Sequence, residues 1–257
     1  HHAEGYVEAF FIKGMAEGPS RNFARLNEQE IMSESNSIYA SEYVTLITYF
    51  RIDSQKVMEV LEKFREKFRS CRNVLISDEY ARLVKNDNVD EEKAEKAAEL
   101  YERTVREGKS YNYADKYVKL VVVFDFDEKM ADLESKAYED KIKIGASRIY
   151  SDAYAMARVR YNLSEARANS FASAFEQEII RQRSYEDTEM YLRAIYVNNF
   201  TRENGIRMLE VFRQEVANGA SKLYAEEYAK LLIMNSNEAL SRAMASIFCE
   251  KIEAGKS

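Results

Sequence analysis

The chain has 257 residues, 46% of them hydrophobic and 32% charged, with only 8 Gly and 1 Pro. So few breakers exclude an all-β sandwich or barrel, which needs a turn about every ten residues, and point to a mostly helical protein. A formal charge of −6 speaks against a general binder of nucleic acid or anionic membrane, no apolar run reaches the roughly 18 residues of a membrane span, and two cysteines exclude a disulfide framework.

An internal repeat sets the organisation. Tyr6, Tyr43, Tyr80, Tyr117, Tyr154, Tyr191 and Tyr228 stand at a constant interval of 37 residues. A small or aliphatic residue follows each: Val7, Val44, Ala81, Val118, Ala155, Leu192, Ala229. Seven residues ahead of the tyrosine stand Asn36, Asn73, Ser110, Ser147, Ser184 and Ser221, all good N-caps for a first helix, helix A. Nine ahead stand Gly108, Gly145 and Gly219, suited to the left-handed residue that ends the helix before. Cys71 and Gln182 take that place in two units, where a tighter or differently capped turn is expected.

A second boundary follows the tyrosine: Asn88-Val89-Asp90, Asp125-Phe126-Asp127, Asn162-Leu163-Ser164 and Asn199-Phe200-Thr201. The first residue of each tolerates a left-handed backbone and the third caps helix B. The apolar middle residue is placed for a staple on Ala94, Ala131, Ala168 or Gly205. Helix B then carries two apolar rows, Phe64, Tyr101, Tyr138, Phe175, Phe212 and, four residues on, Phe68, Val105, Ile142, Ile179, Val216. The last unit is one residue short, so Phe248 and Ile252 continue these rows. One stretch resists: Lys119-Leu120-Val121-Val122-Val123-Phe124 is β-branched and passes locally for a strand, but the register makes it helical.

These columns predict an all-α fold, a right-handed α-solenoid of about seven 37-residue helix-turn-helix repeats. The units fall near 1–35, 36–72, 73–109, 110–146, 147–183, 184–220 and 221–257, in one domain spanning 1–257. A single hairpin leaves its apolar stripe in water, whereas stacked hairpins bury it. His1-His2 reads as the remnant of a purification tag, and Gly255-Lys256-Ser257 repeats Gly108-Lys109-Ser110 at the start of a would-be eighth unit. The chain is therefore expected to be a piece of a longer array.

The small–aromatic periodicity of Tyr113-Ala114…Tyr117-Val118 and Tyr224-Ala225…Tyr228-Ala229 resembles the tetratricopeptide-like superfamily of helical hairpins. The resemblance is architectural: a tetratricopeptide unit runs about 34 residues with a Trp and a turn proline, which this repeat lacks. It implies a protein- or peptide-binding scaffold in which helix A lines the ligand-facing wall, and it transfers no catalytic residue.

Two constellations compete as candidate sites. The pairs Tyr39/Tyr43, Tyr113/Tyr117, Tyr150/Tyr154 and Tyr224/Tyr228 read either as a stacking stripe for ligands or as a core ladder, and regular recurrence favours the core. The polar row on helix A pairs acid before base at Asp78–Arg82, Asp115–Lys119, Glu189–Arg193 and Glu226–Lys230, which suits a solvated face. It equally suits a partner-binding wall, for which Tyr49, Asp115, Lys119, Asp152, Met156, Arg160, Arg193, Glu226 and Lys230 are the candidates.

Enzyme motifs are missing: the only histidines are His1 and His2, the Gly-Lys-Ser triplets lack a phosphate loop's upstream glycine, and Cys71 and Cys249 have no metal-site spacing. No catalytic residue, cofactor or metal is expected. The expected function is a scaffold for a protein or peptide ligand, with a structural spacer or a pentatricopeptide-type reader of single-stranded RNA as alternatives. The acidic balance weighs against the RNA reader. With few, unpaired cysteines the cytoplasm is the expected compartment, a secreted effector the alternative.

Overall fold

The computed structural model describes residues 21, 24–26, 37–48, 52 and 54–254. Tyr6, Asn36, Tyr49 and the Gly255-Lys256-Ser257 end lie outside the described residues. Among those described the fold is all-α, without a strand. In chain order the elements are α1 (Ser37–Thr48), α2 (Ser54–Cys71), α3 (Val74–Lys85), α4 (Glu91–Arg106), α5 (Tyr111–Val118), a π-helical turn (Lys119–Val123), α6 (Glu128–Lys143), α7 (Arg148–Val159), α8 (Glu165–Ile180), α9 (Tyr185–Tyr196), α10 (Arg202–Ala217), α11 (Lys222–Asn235) and α12 (Glu238–Glu253).

The chain divides into two compact units, His1–Ser151 and Asp152–Ser257. In the first, each helix from α1 to α6 packs on its sequence neighbour. In the second the same holds from α8 to α12. Odd-numbered helices from α3 onward are the expected A helices and even-numbered ones the B helices.

Turn chemistry explains why the boundaries recur. The side chains of Asn73, Ser110, Ser147, Ser184 and Ser221 each accept the backbone N–H three residues on, capping an A helix. Asp90, Asp127, Ser164 and Thr201 do the same for the B helices. Ahead of these caps, Asn88, Asp125, Asn162 and Asn199 take left-handed φ of 54°, 55°, 49° and 57°. In the last unit Ser236 is the left-handed residue and Asn237 caps directly. The missing residue is therefore the apolar one between them.

The A-joining turns repeat a second pattern. Gly108 N–H bonds to the Val105 carbonyl while Lys109 N–H reaches the Thr104 carbonyl, the paired bonds of a Schellman ending. Gly145 and Gly219 repeat it, and so does Gln182 at φ 65° despite its side chain. The other exception closes by another route: α2 runs on to Cys71, Arg72 takes the left-handed conformation, and Asn73 caps at once. That turn is one residue tighter.

The β-branched segment is helical, as register demands, but not α-helical. Lys119–Val123 widens into a π turn, with Phe124 N–H bonded to the Lys119 carbonyl five residues back. The carbonyls of Arg82, Met156 and Arg193 in the same column also accept a bond from five residues on. The unit with four consecutive bulky aliphatics prolongs a widening common to the column, relieving the crowding that β-branched side chains meet in an α-helix.

Packing follows the expected rows. Phe64, Tyr101 and Phe175 are fully or almost fully buried, as are Ala94, Ala131 and Ala168 under the staple position. Gly205 replaces alanine there, and a Cβ would lie 3.3 Å from the Tyr191 ring. Tyr80, Tyr154, Tyr191 and Tyr228 are buried, and Tyr113/Tyr117 and Tyr224/Tyr228 stack at 5.7 and 6.0 Å. Tyr43, Tyr117, Tyr150 and Tyr224 are half-buried, so the described part of the ladder forms the core and its edge.

Gln182→Gly is expected to raise stability by about 1 kcal/mol, because it removes the cost of a left-handed side-chain residue. Gly219→Ala, at φ 91° with nothing near the added methyl, is expected to lower it by a similar amount. Thermal melts of the two variants check the pair, and a melting temperature unmoved in both would refute the account.

Candidate functional site

The polar row of the A helices is the most concentrated chemistry in the described residues. In the first unit it converges on Arg82, which is 3% exposed. Its Nε donates to Asp78 Oδ1 at 3.0 Å and its Nη1 to Asp115 Oδ1 at 3.0 Å, while Nη2 pairs with Glu79. Asp115 is the second hub. Arg148 Nη2 lies 3.3 Å from its Oδ2, and Lys119 Nζ lies 3.6 Å from its Oδ1. Lys119 also reaches Asp87 Oδ2 at 2.9 Å.

This cluster joins α3 to α5 and takes in Arg148, the first residue of α7. Arg82 and Asp115 are 33 residues apart, as are Asp115 and Arg148. The π turn begins at Lys119, inside the same cluster.

Electrostatics divide the carboxylates. Burial would raise Asp115, but Lys119, Arg82 and Arg148 together hold its carboxyl well below the usual range. Glu79 is fully buried, with Oε1 unpartnered. Burial pushes it up to about 8, against the pull of the Arg82 charge and with help from Asp115. Arg82 is desolvated too, yet Asp78, Glu79 and Asp115 keep it firmly cationic.

The second unit has its own version. Tyr185 Oη donates to Asp152, and Tyr161 Oη donates to Glu189. Burial and the adjoining carboxylate push both phenols well above their ordinary value, so each serves as a donor and not as an acid. Arg193 lies 2.6 Å from Glu226 and 5.3 Å from the Tyr161 ring centre. Lys230 pairs with Glu227 at 3.0 Å.

The nine candidate wall residues thus separate. Asp115 is buried among cations, and Lys119 and Asp152 are half-buried and engaged. Met156 is 1% exposed. The expectation that it fills an exposed helix-A position is corrected: with its neighbours Ala155 and Ala157 also buried, it is core. Arg160, Arg193, Glu226 and Lys230 are half-buried and solvent-reachable, and Tyr49 is outside the described residues. The expected Asp78–Arg82 and Asp115–Lys119 pairs form. Glu226 and Lys230 instead take other partners, because Arg193 of the preceding A helix lies within reach of Glu226.

Sequence reasoning passed over Glu79, Asp87, Arg148, Tyr161 and Tyr185 in this row. Glu79 pairs with Arg82 three residues on, whereas Asp87, Arg148, Tyr161 and Tyr185 depend on partners 28 to 33 residues away. Among the described residues no group of three or more His, Cys, Asp or Glu is placed to hold a metal ion. No described helix is long and apolar enough to cross a membrane. No family model, curated protein or solved structure matches the chain.

Arg82→Met is expected to cost about 3–5 kcal/mol, the penalty for stranding buried carboxylates without their cation. Glu79 adds a pH signature. Between its ordinary value of 4.5 and about 8, the folded chain holds a proton that the unfolded chain has released. Its contribution to stability therefore falls as pH rises through that window and is flat above it. Asp115 acts oppositely: its contribution to stability is lost as pH falls below 3.8, where the unfolded chain takes up a proton that the folded carboxylate, still charged, does not. Denaturant titrations from pH 5 to pH 8 should show a shallower decline in Glu79→Gln than in the parent; parallel curves would sink this assignment.

Proposed function

We propose that the chain is a helical-repeat scaffold for a protein or peptide ligand, built as a right-handed α-solenoid of about seven tetratricopeptide-like hairpins. The observation that carries it is the 37-residue recurrence of caps, left-handed turns and buried rows between Asn73 and Asn237. The 33-residue links between alternate helices support stacking of like helices side by side: Arg82 to Asp115, Asp115 to Arg148, Tyr185 to Asp152, Arg193 to Glu226. Such stacking creates a long surface whose repeated backbone frame carries different side chains at each step.

On this reading the ligand meets the solvent-reachable part of the A row, with Arg160, Arg193, Glu226 and Lys230 as its polar contacts. The buried hubs Arg82 and Asp115 set the spacing of the helices that present them. A spacer role is the second reading, favoured by how many of the row's charges are already paired inside the chain.

Affinity capture from lysate of the source cell, with and without nuclease, tests both. A discrete protein retained after nuclease is expected. The double variant Arg193→Gln/Lys230→Gln should lose at least about tenfold of that binding, with a melting temperature near the parent's because partly exposed ion pairs contribute little. Retention abolished by nuclease would put a nucleic-acid reader in its place, and an empty lane would favour the spacer.

A further inference from the structure

The sequence holds two Asn-Gly pairs, Asn204-Gly205 and Asn218-Gly219. Such a pair carries latent chemistry of its own. With no side chain on the glycine and wide backbone freedom, its nitrogen can close on the asparagine Cγ more readily than that of any other residue. The two pairs stand in opposite surroundings.

Asn218 is the C-cap of α10, at φ −80° and ψ 2°, and Gly219 follows at φ 91°. Both are exposed, and a Cβ added to Gly219 would meet nothing within 4 Å. The turn is held by Gly219 N–H on the Val216 carbonyl and Ala220 N–H on the Glu215 carbonyl, each at 3.0 Å. Rotating ψ of Asn218 until Gly219 N faces Cγ breaks only such surface bonds, which water replaces. Openings of this kind lie at the low end of a protein's local unfolding free energies.

Asn204 stands in the first turn of α10 instead. Its N–H donates to Thr201 Oγ1 at 3.2 Å, and Gly205 N–H donates to the Thr201 carbonyl at 2.9 Å. Gly205 is buried, so close to α9 that a Cβ would lie 3.3 Å from the Tyr191 ring. The same rotation there would unwind the start of α10 and draw it off α9. The remaining glycine turns offer a comparison: Glu107-Gly108 and Ile144-Gly145 share the left-handed glycine but have no amide before it.

We infer that Asn218 is a site of spontaneous deamidation and isoaspartate formation, and that Asn204 is protected from the same reaction by the fold. Gly219 N gives up its proton to water or hydroxide and attacks Asn218 Cγ. The new N–Cγ bond closes a five-membered imide, the Cγ–Nδ2 bond breaks, and ammonia leaves with a proton from water. Water then adds to either imide carbonyl. One opening gives aspartate; the other gives isoaspartate, whose main chain runs through the former side-chain carbonyl. The isoaspartate product has one more methylene in its backbone, in the turn that sets the phase between α10 and α11. Either product also places a carboxylate at the C-terminal end of α10, where the helix dipole disfavours it. The site does not depend on the A-row ligand surface.

The test incubates the full chain at mildly alkaline pH, folded and in urea, and follows both asparagines by peptide mass spectrometry with fragmentation that separates isoaspartate from aspartate. In the folded chain Asn218 should convert, with isoaspartate among its products, and Asn204 should convert at least about tenfold more slowly because its reactive state is reached by a costlier opening. In urea the two rates should converge, since both are then plain Asn-Gly pairs. Asn218→Gln keeps a neutral amide but would need a six-membered ring; it should abolish the signal at 218 with a melting temperature near the parent's. The inference is overturned if Asn204 keeps pace with Asn218 in the folded chain. It is equally overturned if folded Asn218 stays intact over a period in which the urea-treated chain converts at both sites.

Discussion

Burial of the aromatic column of the B helices, Phe64, Tyr101, Tyr138, Phe175 and Phe212, is the constraint on which the rest depends. Fully burying one Phe or Met side chain stabilises by roughly 1.5–3 kcal/mol, and a hairpin by itself leaves both faces of such residues half wet. The fold therefore gains its core between repeats as much as within them. This is why Phe64, Tyr101, Phe175 and Phe212 are buried while Phe248, chemically the same choice at the same register, is not. Burial here belongs to position in the array and not to residue type.

The turns serve that contact by holding its period constant. Side-chain caps and left-handed Asn, Asp or Gly residues end each helix at a fixed column, so the next apolar row arrives in phase. Where a preferred residue is replaced, the backbone conformation persists in Gln182 or moves by one residue to Arg72. The period survives because the packing it serves is worth more than the local strain of about 1–2 kcal/mol. The π turn at Lys119 shows the same precedence, with the β-branched run changing helix type and keeping the register.

Charges enter at the seams. Salt bridges on exposed surfaces contribute little, but Arg82 and its carboxylates are buried, and their value lies in holding α3 to α5, with Arg148 drawn to Asp115. The tyrosine ladder works alongside. Ring faces pack inward while cations such as Lys67, Arg183 and Arg242 lie over them at 4.4 to 4.8 Å. The row that sequence alone offers as an open wall is thus partly a joint, and the remaining reachable side chains are what a ligand would meet.

By itself the sequence determined the helical class, the boundaries, the caps and which residues share an apolar face, because each of these is local. A Ser at a fixed offset caps its own helix, and a residue four positions on shares its face. The structure decided what depends on packing between helices: that Asp115 bridges Arg82 and Arg148, that Met156 is core, and that Glu226 turns to Arg193 and leaves Lys230 to Glu227. It also decided that Gln182 takes the glycine conformation unaided, and that a valine-rich stretch is a π turn. Periodicity reports which residues are equivalent, whereas which neighbour wins a charge depends on distances that only the packed helices set.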